Sequence, residues 1–354
     1  MARVEGDGSL RARLARAVQL ALPPQALVLV ASRRDDGLTD LGAPGVLPFP
    51  RSSPLDAPAE VLLAEVAAAR ADGVHYLVIP EPSRAWLPEG FTEGVRGAYR
   101  LLVEDDVSAM LALQPAPVPA APARDGLPFP PPEFVGLTLG VFDVPALFEG
   151  FFEAGARDAQ SIRDALRATG LGMRRLEAVL DFGCGCGRVL RHWSRLPDAS
   201  VHGSDFNPHM IDWCRRNLPF AQFTVNGVAP PLDYGESSFD LVYAVSVFTH
   251  LLEPLQLPWL TELARITRPG GRVLLSLNGL QQRDALLEGE ERARFDAGRL
   301  AAIWADRAGT NACTVFHPAR YRRELARAAG LEVVDEQPDA ISNAGQDLLM
   351  LRRP

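Results

Sequence analysis

Residues 179–189, VLDFGCGCGRV, combine an acidic strand end with three closely spaced glycines. Asp181 closes an apolar run, and Gly183, Gly185 and Gly187 follow, with Phe182 and Cys184 beside the first two. Glycine lets a backbone turn sharply and come close to a ligand because no Cβ intrudes. A helix is expected to start near Arg188 with its N-terminus toward that ligand. One strand later VHGSD ends in Asp205, an acidic side chain placed to accept both hydroxyls of a ribose. Phe206 comes next, with a ring suited to packing on adenine. Asn226 and Gly227 follow a third strand, and an amide there can bond an adenine amino group. A fourth strand leads into Ser246, Phe248 and His250, at the edge where open α/β sheets bind ligands.

The spacing separates cofactors. A dinucleotide fold wants G-x-G-x-x-G, with a pyrophosphate resting on the helix N-terminus. Here the third glycine comes one residue early, Arg188 follows it, and Asp181 would repel a pyrophosphate. A cationic ligand suits the loop better, and S-adenosylmethionine carries an ammonium and a sulfonium. An NAD-dependent sugar oxidoreductase is therefore the weaker reading. A hydroxyl acceptor also needs its proton removed. His250 is the first candidate base. His317 is the second, before a helix that follows the long connection 278–316, which reads as a lid or acceptor-binding segment. Asp306 and Glu253 are further options.

Each of these residues has a plainer reading. Asp205 could cap the helix that begins at Asn207-Pro208, and His250 could simply bond backbone. His317 could be a polar residue at a helix end. Cys184 and Cys186 read as small loop residues, and with no second ligand pair no metal site is expected. Trp193, Trp213 and Trp259 sit in helical patterns and read as core, and the basic stretch 320–327 as a solvated face.

Alternating strands and helices must hold these residues. Strands are expected at 178–182, 200–204, 221–225, 239–244, 272–277, 331–337 and 347–351, after a helix over 144–169. Helices fit between the first six strands. The last two strands form an antiparallel pair that adds an antiparallel edge strand. This is an α/β, doubly wound, seven-stranded, mostly parallel sheet. A Pro/Ala-rich stretch, 114–132, reads as a linker. It separates a small α/β accessory domain, 1–113, from the larger domain, 133–354. In the small domain, strands are expected at 27–32, 74–80, 99–103 and 107–113. A short amphipathic helix precedes the first of them. A second helix spans 57–70, capped by Asp56 and ended by Gly73.

The chain has 354 residues, 47% hydrophobic and 23% charged, the balance of a globular protein. A net charge of -8 and a pI near 5.4 argue against nucleic acid as a partner. The four cysteines form no disulfide framework, which favours a reducing cytoplasm. Arginines 11, 13 and 16 precede an apolar stretch, but Pro23-Pro24 interrupt it, so a signal peptide is not expected. No apolar run reaches the roughly 18–20 residues of a membrane span.

The runs VLDFGCGCGRV, GSDFNP, FDLVYAVSVFTHL and LARITRPGGRVLLSL together resemble the class I S-adenosylmethionine-dependent methyltransferase family over about residues 140–354. Gly345-Gln346-Asp347 resembles bacterial members often encoded with sugar transferases, in surface-polysaccharide gene clusters. Many members have Asp where this chain has Asn226. The runs ALVLVASRRDD, LPFP, HYLVIPEPSRAWL and YRLLVEDD resemble a small domain found beside glycosyltransferases and methyltransferases of such clusters. The resemblance implies S-adenosylmethionine as cofactor, a Rossmann-like core, and O-methylation of a sugar, glycan precursor or related small metabolite. A homodimer is left open, and the alternative is a non-catalytic scaffold or binding protein that keeps the cofactor fold.

Overall fold

The computed structural model describes residues 9–33, 36–41, 45–115, 123–141, 147–196, 198–307, 313–341 and 345–354. The chain divides into two compact units, one of residues 1–118 with 131–137, the other of residues 119–130 with 138–354.

The first unit opens with helix α1, Leu10–Ala21, whose first turn is held by the Ser9 hydroxyl accepting from the Ala12 N–H. Strand β1 (Val28–Ala31), strand β2 (Val46–Phe49), helix α2 (Ala59–Ala71), strand β3 (Tyr76–Pro80), helix α3 (Phe91–Ala98), strand β4 (Arg100–Glu104) and strand β5 (Ser108–Ala112) follow. The sheet order is β2-β1-β3-β5-β4. β1 pairs in parallel with β2 and β3, whereas β5 runs antiparallel to β3 and β4. The three inner strands are buried at every position, which is why their sequences read as unbroken apolar runs. The sequence reading missed two elements. β2 is a short, proline-bearing edge strand, and α3 contains Gly94 and Gly97. Gly94 lets α3 approach α2, since a Cβ there would lie 2.6 Å from a Leu63 methyl. Asp56 does not cap α2, which starts after Pro58 with no side-chain cap.

The boundary between the units falls in a short helix, α4 (Pro132–Leu139). The second unit continues with helix α5 (Leu147–Ala168), strands β6 (Ala178–Phe182) and β7 (Ser200–Asp205), helix α6 (Pro208–Asn217), strands β8 (Ala221–Val225) and β9 (Phe239–Ala244), helix α7 (Glu253–Ile266) and strand β10 (Thr267–Leu277). Helices α8 (Leu280–Leu286) and α9 (Gly289–Asp296) come next, then a two-stranded ribbon, β11 (Ala301–Ile303) and β12 (Thr314–Phe316). Helix α10 (Ala319–Ala328), strand β13 (Glu332–Ile341) and strand β14 (Gln346–Arg352) close the chain. Residues 116–122 of the Pro/Ala-rich stretch and 144–146 of the expected helix lie outside the described residues.

The main sheet has the order β13-β14-β10-β9-β6-β7-β8. Six strands share one direction, and β14 is antiparallel to both neighbours, β10 and β13. The sheet is thus seven-stranded and doubly wound, but the antiparallel strand is internal, not an edge. Burial explains the placement: β14, QDLLMLR, is buried at all but its last residue, whereas β13, EVVDEQPDAI, carries charges that an edge tolerates.

The connections correct the expectation of a helix in every gap. No helix links β8 to β9, and the glycine loop after β6 runs into turns and one short 3-10 segment, Leu190–Trp193. The chain after Gly187 is instead pinned by two buried arginines. The Arg188 guanidinium pairs with Asp158 of α5 at 2.5 Å. That of Arg191 forks onto Asp125 at 2.7 and 3.0 Å and donates to the Leu127 and Pro128 carbonyls. Each guanidinium satisfies a carboxylate in the interior, so neither charge is left bare.

Candidate functional site

The glycine loop is tied to the neighbouring strand by backbone bonds. The N–H groups of Gly183 and Cys184 both donate to the Ser204 carbonyl, at 2.7 and 3.0 Å. The Gly185 N–H donates to Asp205 Oδ2 at 2.8 Å. Gly183 and Gly187 have φ of 75° and 82°, a region that glycine alone enters freely. A Cβ on Gly183 would lie 2.3 Å from a Val247 methyl, and one on Gly187 2.6 Å from a Leu218 methyl. The loop therefore packs directly against the chain that leaves β9.

Both acidic residues are buried at the strand ends. Asp181 accepts from the Tyr243 hydroxyl at 3.0 Å. Burial pushes its carboxyl up to about 7, against the pull of that hydrogen bond and of Arg188. Asp205 accepts the Asn207 N–H on its other oxygen, at 2.8 Å. Its pKa is also raised by burial, opposed by backbone N–H groups of Asn207, Gly185 and Phe206. The helix cap is Asn207, whose side chain accepts from the His209 and Met210 N–H groups. Asp205 thus locks loop to helix, and with three backbone N–H groups on its two oxygens it keeps acceptor room for about one further donor, such as a ribose hydroxyl.

Asn226 lies beside Asp205 on the next strand, its N–H donating to the Asp205 carbonyl at 3.0 Å. Its Nδ2 donates to the Gly227 carbonyl at 2.8 Å, while its Oδ1 is buried with no partner. A buried acceptor without a donor is costly, and an exocyclic adenine amine would supply one. The Phe206 ring, next to Asp205, is 36% exposed, large apolar surface on the same edge. The residues present therefore fit an adenosine: ribose at Asp205, base at Asn226 and Phe206, and a Cβ-free loop beside them. Phe182 and Phe248 differ from this group. Their rings lie in the core, Phe182 against Trp259 at 4.7 Å between centroids, so neither ring faces the open edge. Trp193 and Trp213 are buried like Trp259. The thiols of Cys184 and Cys186 are buried and held protonated, that of Cys186 beside the Thr138 hydroxyl at 3.1 Å. Among the described residues no cluster of His, Cys, Asp or Glu could hold a metal ion.

The other half of the edge carries His250 and Ser246, with His317 packed behind them. His250 Nδ1 sits 2.6 Å from the Cys313 carbonyl, so Nδ1 bears the proton and Nε2 keeps its lone pair. Burial lowers its pKa, which leaves the ring neutral and basic at Nε2 near pH 7. His317 is fully buried; its Nε2 meets Gln256 Oε1 at 3.2 Å, and burial together with Arg322 drives its pKa well down. Gln256 in turn donates to the Phe248 and Leu251 carbonyls, so His317 braces the segment that carries His250. Ser246, at φ 59°, donates its N–H to Ser276 Oγ at 2.6 Å. The hydroxyls of Ser246 and Ser276 both donate to Gln346 Oε1, at 3.0 and 2.6 Å. Glu253 pairs with Arg294 at the surface, and Asp306 lies near enough to Cys313 to add to burial in raising that thiol's pKa.

Tyr243, Ser276 and the Cys313 carbonyl were not foreseen from sequence. Ser276 and Tyr243 read as ordinary strand positions, and a carbonyl leaves no signal in a side-chain pattern. Gln346 stood in a recognised motif, but its link to Ser246 exists only once β10 and β14 pair.

Residues 179–271 match the family model described as a methyltransferase domain. A methyltransferase, GfsG of Streptomyces halstedii, is 26% identical over 218 residues, 60% of this chain and 66% of that protein. The O-methyltransferase cnsE of Penicillium expansum is 30% identical over 105 residues, 28% of this chain and 37% of that protein. The chain spans less than two thirds of the length of these relatives. The solved 1,6-didemethyltoxoflavin-N1-methyltransferase of Burkholderia thailandensis, with 1,6-didemethyltoxoflavin and S-adenosylhomocysteine bound, aligns at 22% identity and a TM-score of 0.41, covering 64% of this chain and 92% of that one.

Proposed function

We propose that this chain is an S-adenosylmethionine-dependent methyltransferase that methylates a hydroxyl of a sugar, a glycan precursor or a related small metabolite. The cofactor is S-adenosylmethionine. The observation that carries the reading is the pair Asp205 and Asn226. They sit side by side on adjacent strand ends, one with free acceptor capacity and the other with an unpaired buried amide oxygen, next to a glycine loop. The match of residues 179–271 to a methyltransferase domain supports it.

The bound cofactor supplies an electrophilic methyl group for in-line displacement. The chain's own residues do the rest. Asp205 and Asn226 orient the adenosine, the loop 183–187 gives close backbone approach, and Asp181 offers a negative charge to a cationic amino-acid end. His250 takes the proton from the acceptor hydroxyl at Nε2, because the Cys313 carbonyl holds the proton on Nδ1. Such a base is typically worth ~10²–10⁴-fold. His317 and Gln256 act on His250 only by holding its backbone segment.

The choice of a hydroxyl acceptor rests on the resemblance to enzymes of sugar-transferase gene clusters and on the neutral histidine. Calorimetric titration with S-adenosylhomocysteine tests the cofactor site. Micromolar binding that Asp205→Ala abolishes is expected. A well-folded protein that binds none, or a variant that binds as the parent does, defeats the reading.

A further inference from the structure

We propose that Tyr243 is a positioning residue for cofactor binding, whose hydroxyl keeps the Asp181 carboxylate charged and oriented for the cationic amino-acid end of S-adenosylmethionine. The inference rests on the reading of Asp181 given above and adds a residue that acts only through it.

Strand pairing brings the two side chains together. β6 and β9 run parallel, and Asp181 stands opposite Tyr243 in their register. Side chains alternate between the faces of a sheet, so in-register neighbours share one face. The other face carries Leu180, Phe182, Val242 and Ala244 in the apolar core. Tyr243 is fully buried in the run FDLVYA, where a phenylalanine would fill nearly the same space. What phenylalanine lacks is the hydroxyl, and that hydroxyl donates to Asp181 Oδ2 at 3.0 Å. Burial and the nearby Asp181 charge push the Tyr243 hydroxyl well up, so it keeps its proton and remains a donor to the carboxylate.

The bond acts on charge. Burial favours the neutral form of Asp181, whose carboxyl sits at about 7. Tyr243 is the largest influence opposing burial, ahead of Arg188 and of the Leu190 N–H, while Asp205 adds to it. Arg188 is itself paired with Asp158 at 2.5 Å. The Cys184 thiol is held protonated and brings no charge. Arg163 stands farther off, 4.9 Å from the Trp193 ring, which packs on Tyr243 at 5.9 Å between centroids. A hydrogen bond to a charged acceptor exceeds one to a neutral acceptor by enough to change an ionisation constant about tenfold. At pH 7 about half of Asp181 is then ionised with Tyr243 in place, against about a tenth without it. Tyr243 therefore strengthens the hold on a ligand's ammonium and leaves the hold on its adenosine alone.

The test is calorimetric titration of the full chain and of Tyr243→Phe with S-adenosylhomocysteine and with 5′-methylthioadenosine, from pH 6 to pH 8. Both ligands carry the adenosine. Only the first carries the amino-acid end, whose ammonium stays charged over this range. Burial pushes Asp205 up as well, but on the same reading it serves the ribose that both ligands share, so their comparison isolates Asp181. The parent should bind S-adenosylhomocysteine about tenfold more tightly at pH 8 than at pH 6. Tyr243→Phe should bind it about ninefold more weakly than the parent at pH 6, and only about twofold more weakly at pH 8. The methylthioadenosine should bind parent and variant alike at each pH. Asp181→Asn keeps the test decisive if Tyr243→Phe does not fold: its affinity for S-adenosylhomocysteine should stay flat with pH. A parent chain that binds neither ligand defeats the cofactor reading and this inference with it. Where the parent binds, a loss in Tyr243→Phe that is equal at every pH, or that extends to methylthioadenosine, makes the tyrosine merely structural and overturns this inference alone. Unaltered binding by Tyr243→Phe, or a pH-dependent Asp181→Asn, overturns it too.

Discussion

Replacing Asp181 by Asn should stabilise the free protein and weaken cofactor binding in the same variant. The carboxyl is buried and sits at about 7 in the fold, against an ordinary value of 3.8. A folded pKa above the unfolded one means that the fold holds the proton more tightly. Below the unfolded value both states are protonated and the shift has no effect. Stability then falls as pH rises from about 4 to about 7, and the full loss persists above. For these two values the ionised carboxylate destabilises the fold by about 4 kcal/mol at pH 8. At pH 5 the loss is only about 2 kcal/mol.

Asparagine has the same shape, can accept the Tyr243 hydroxyl, and does not titrate. Thermal denaturation of both proteins between pH 5 and 8 reads the effect, because titrating groups not coupled to Asp181 cancel in the difference. The advantage of Asp181→Asn should widen by about 2 to 3 kcal/mol across that range. In a unit of this size that is about 5–10 °C in Tm. Binding of S-adenosylhomocysteine should move the other way, since the variant has no charge to offer the ligand's ammonium. A stability gap that stays constant with pH, or narrows as pH rises, refutes the assignment of a strained carboxylate to Asp181.

Three further outcomes follow from the same geometry. Gly183→Ala should lower stability by about 2–4 kcal/mol, from a left-handed φ and a clash with Val247; denaturant unfolding should show partial recovery when Val247→Ala is added. His250 should titrate below 6.5, losing its charge as pH rises through that lowered pKa, and carry its proton on Nδ1 at pH 7; nitrogen-15 NMR of labelled histidine reads both, and an Nε2–H tautomer would contradict the assignment of a base. Gln346→Leu should cost about 1–3 kcal/mol by leaving two serine hydroxyls without their acceptor; the loss should shrink in a Ser276→Ala background, as a double-mutant cycle would show.

What was legible in the sequence was the part that is local. β6, β8 and β9 lie at the expected bounds because each is a short run between clear turn signals. The glycine loop and Asp205 were readable because residue type and spacing alone define them. The missing helix after the loop was not, since VLRHWSRL has ordinary helix formers and tertiary pairing decides otherwise. Arg188 and Arg191 spend their charges on Asp158 and Asp125, partners distant in sequence. The internal place of β14 was equally hidden, because a hairpin-like partner at the C-terminus does not reveal on which side it inserts. Ser246, Ser276 and Gln346 meet only through that insertion, which pairs Leu277 with Asp347 and Ser276 with Leu348.

The order of strands also orders the chemistry. Along one edge, from β8 through β7, β6, β9 and β10 to β14, the chain presents Asn226, Asp205, the glycine loop, Ser246, Ser276 and Gln346. Neighbouring strands stand about 4.8 Å apart. Two strand spacings, about 10 Å, therefore separate the Asn226 amide from the loop, a span suited to a nucleoside. On the proposed reading the reacting carbon falls near the junction of β6 and β9, where Gly183 packs on Val247. His250 follows directly on that stretch, and the serines and Gln346 lie beyond it, over β10 and β14. On the proposed reading the acceptor would take the half of the edge that carries the hydroxyls and the neutral histidine. An acceptor rich in hydroxyls matches those groups; a fully apolar one would leave them without new partners.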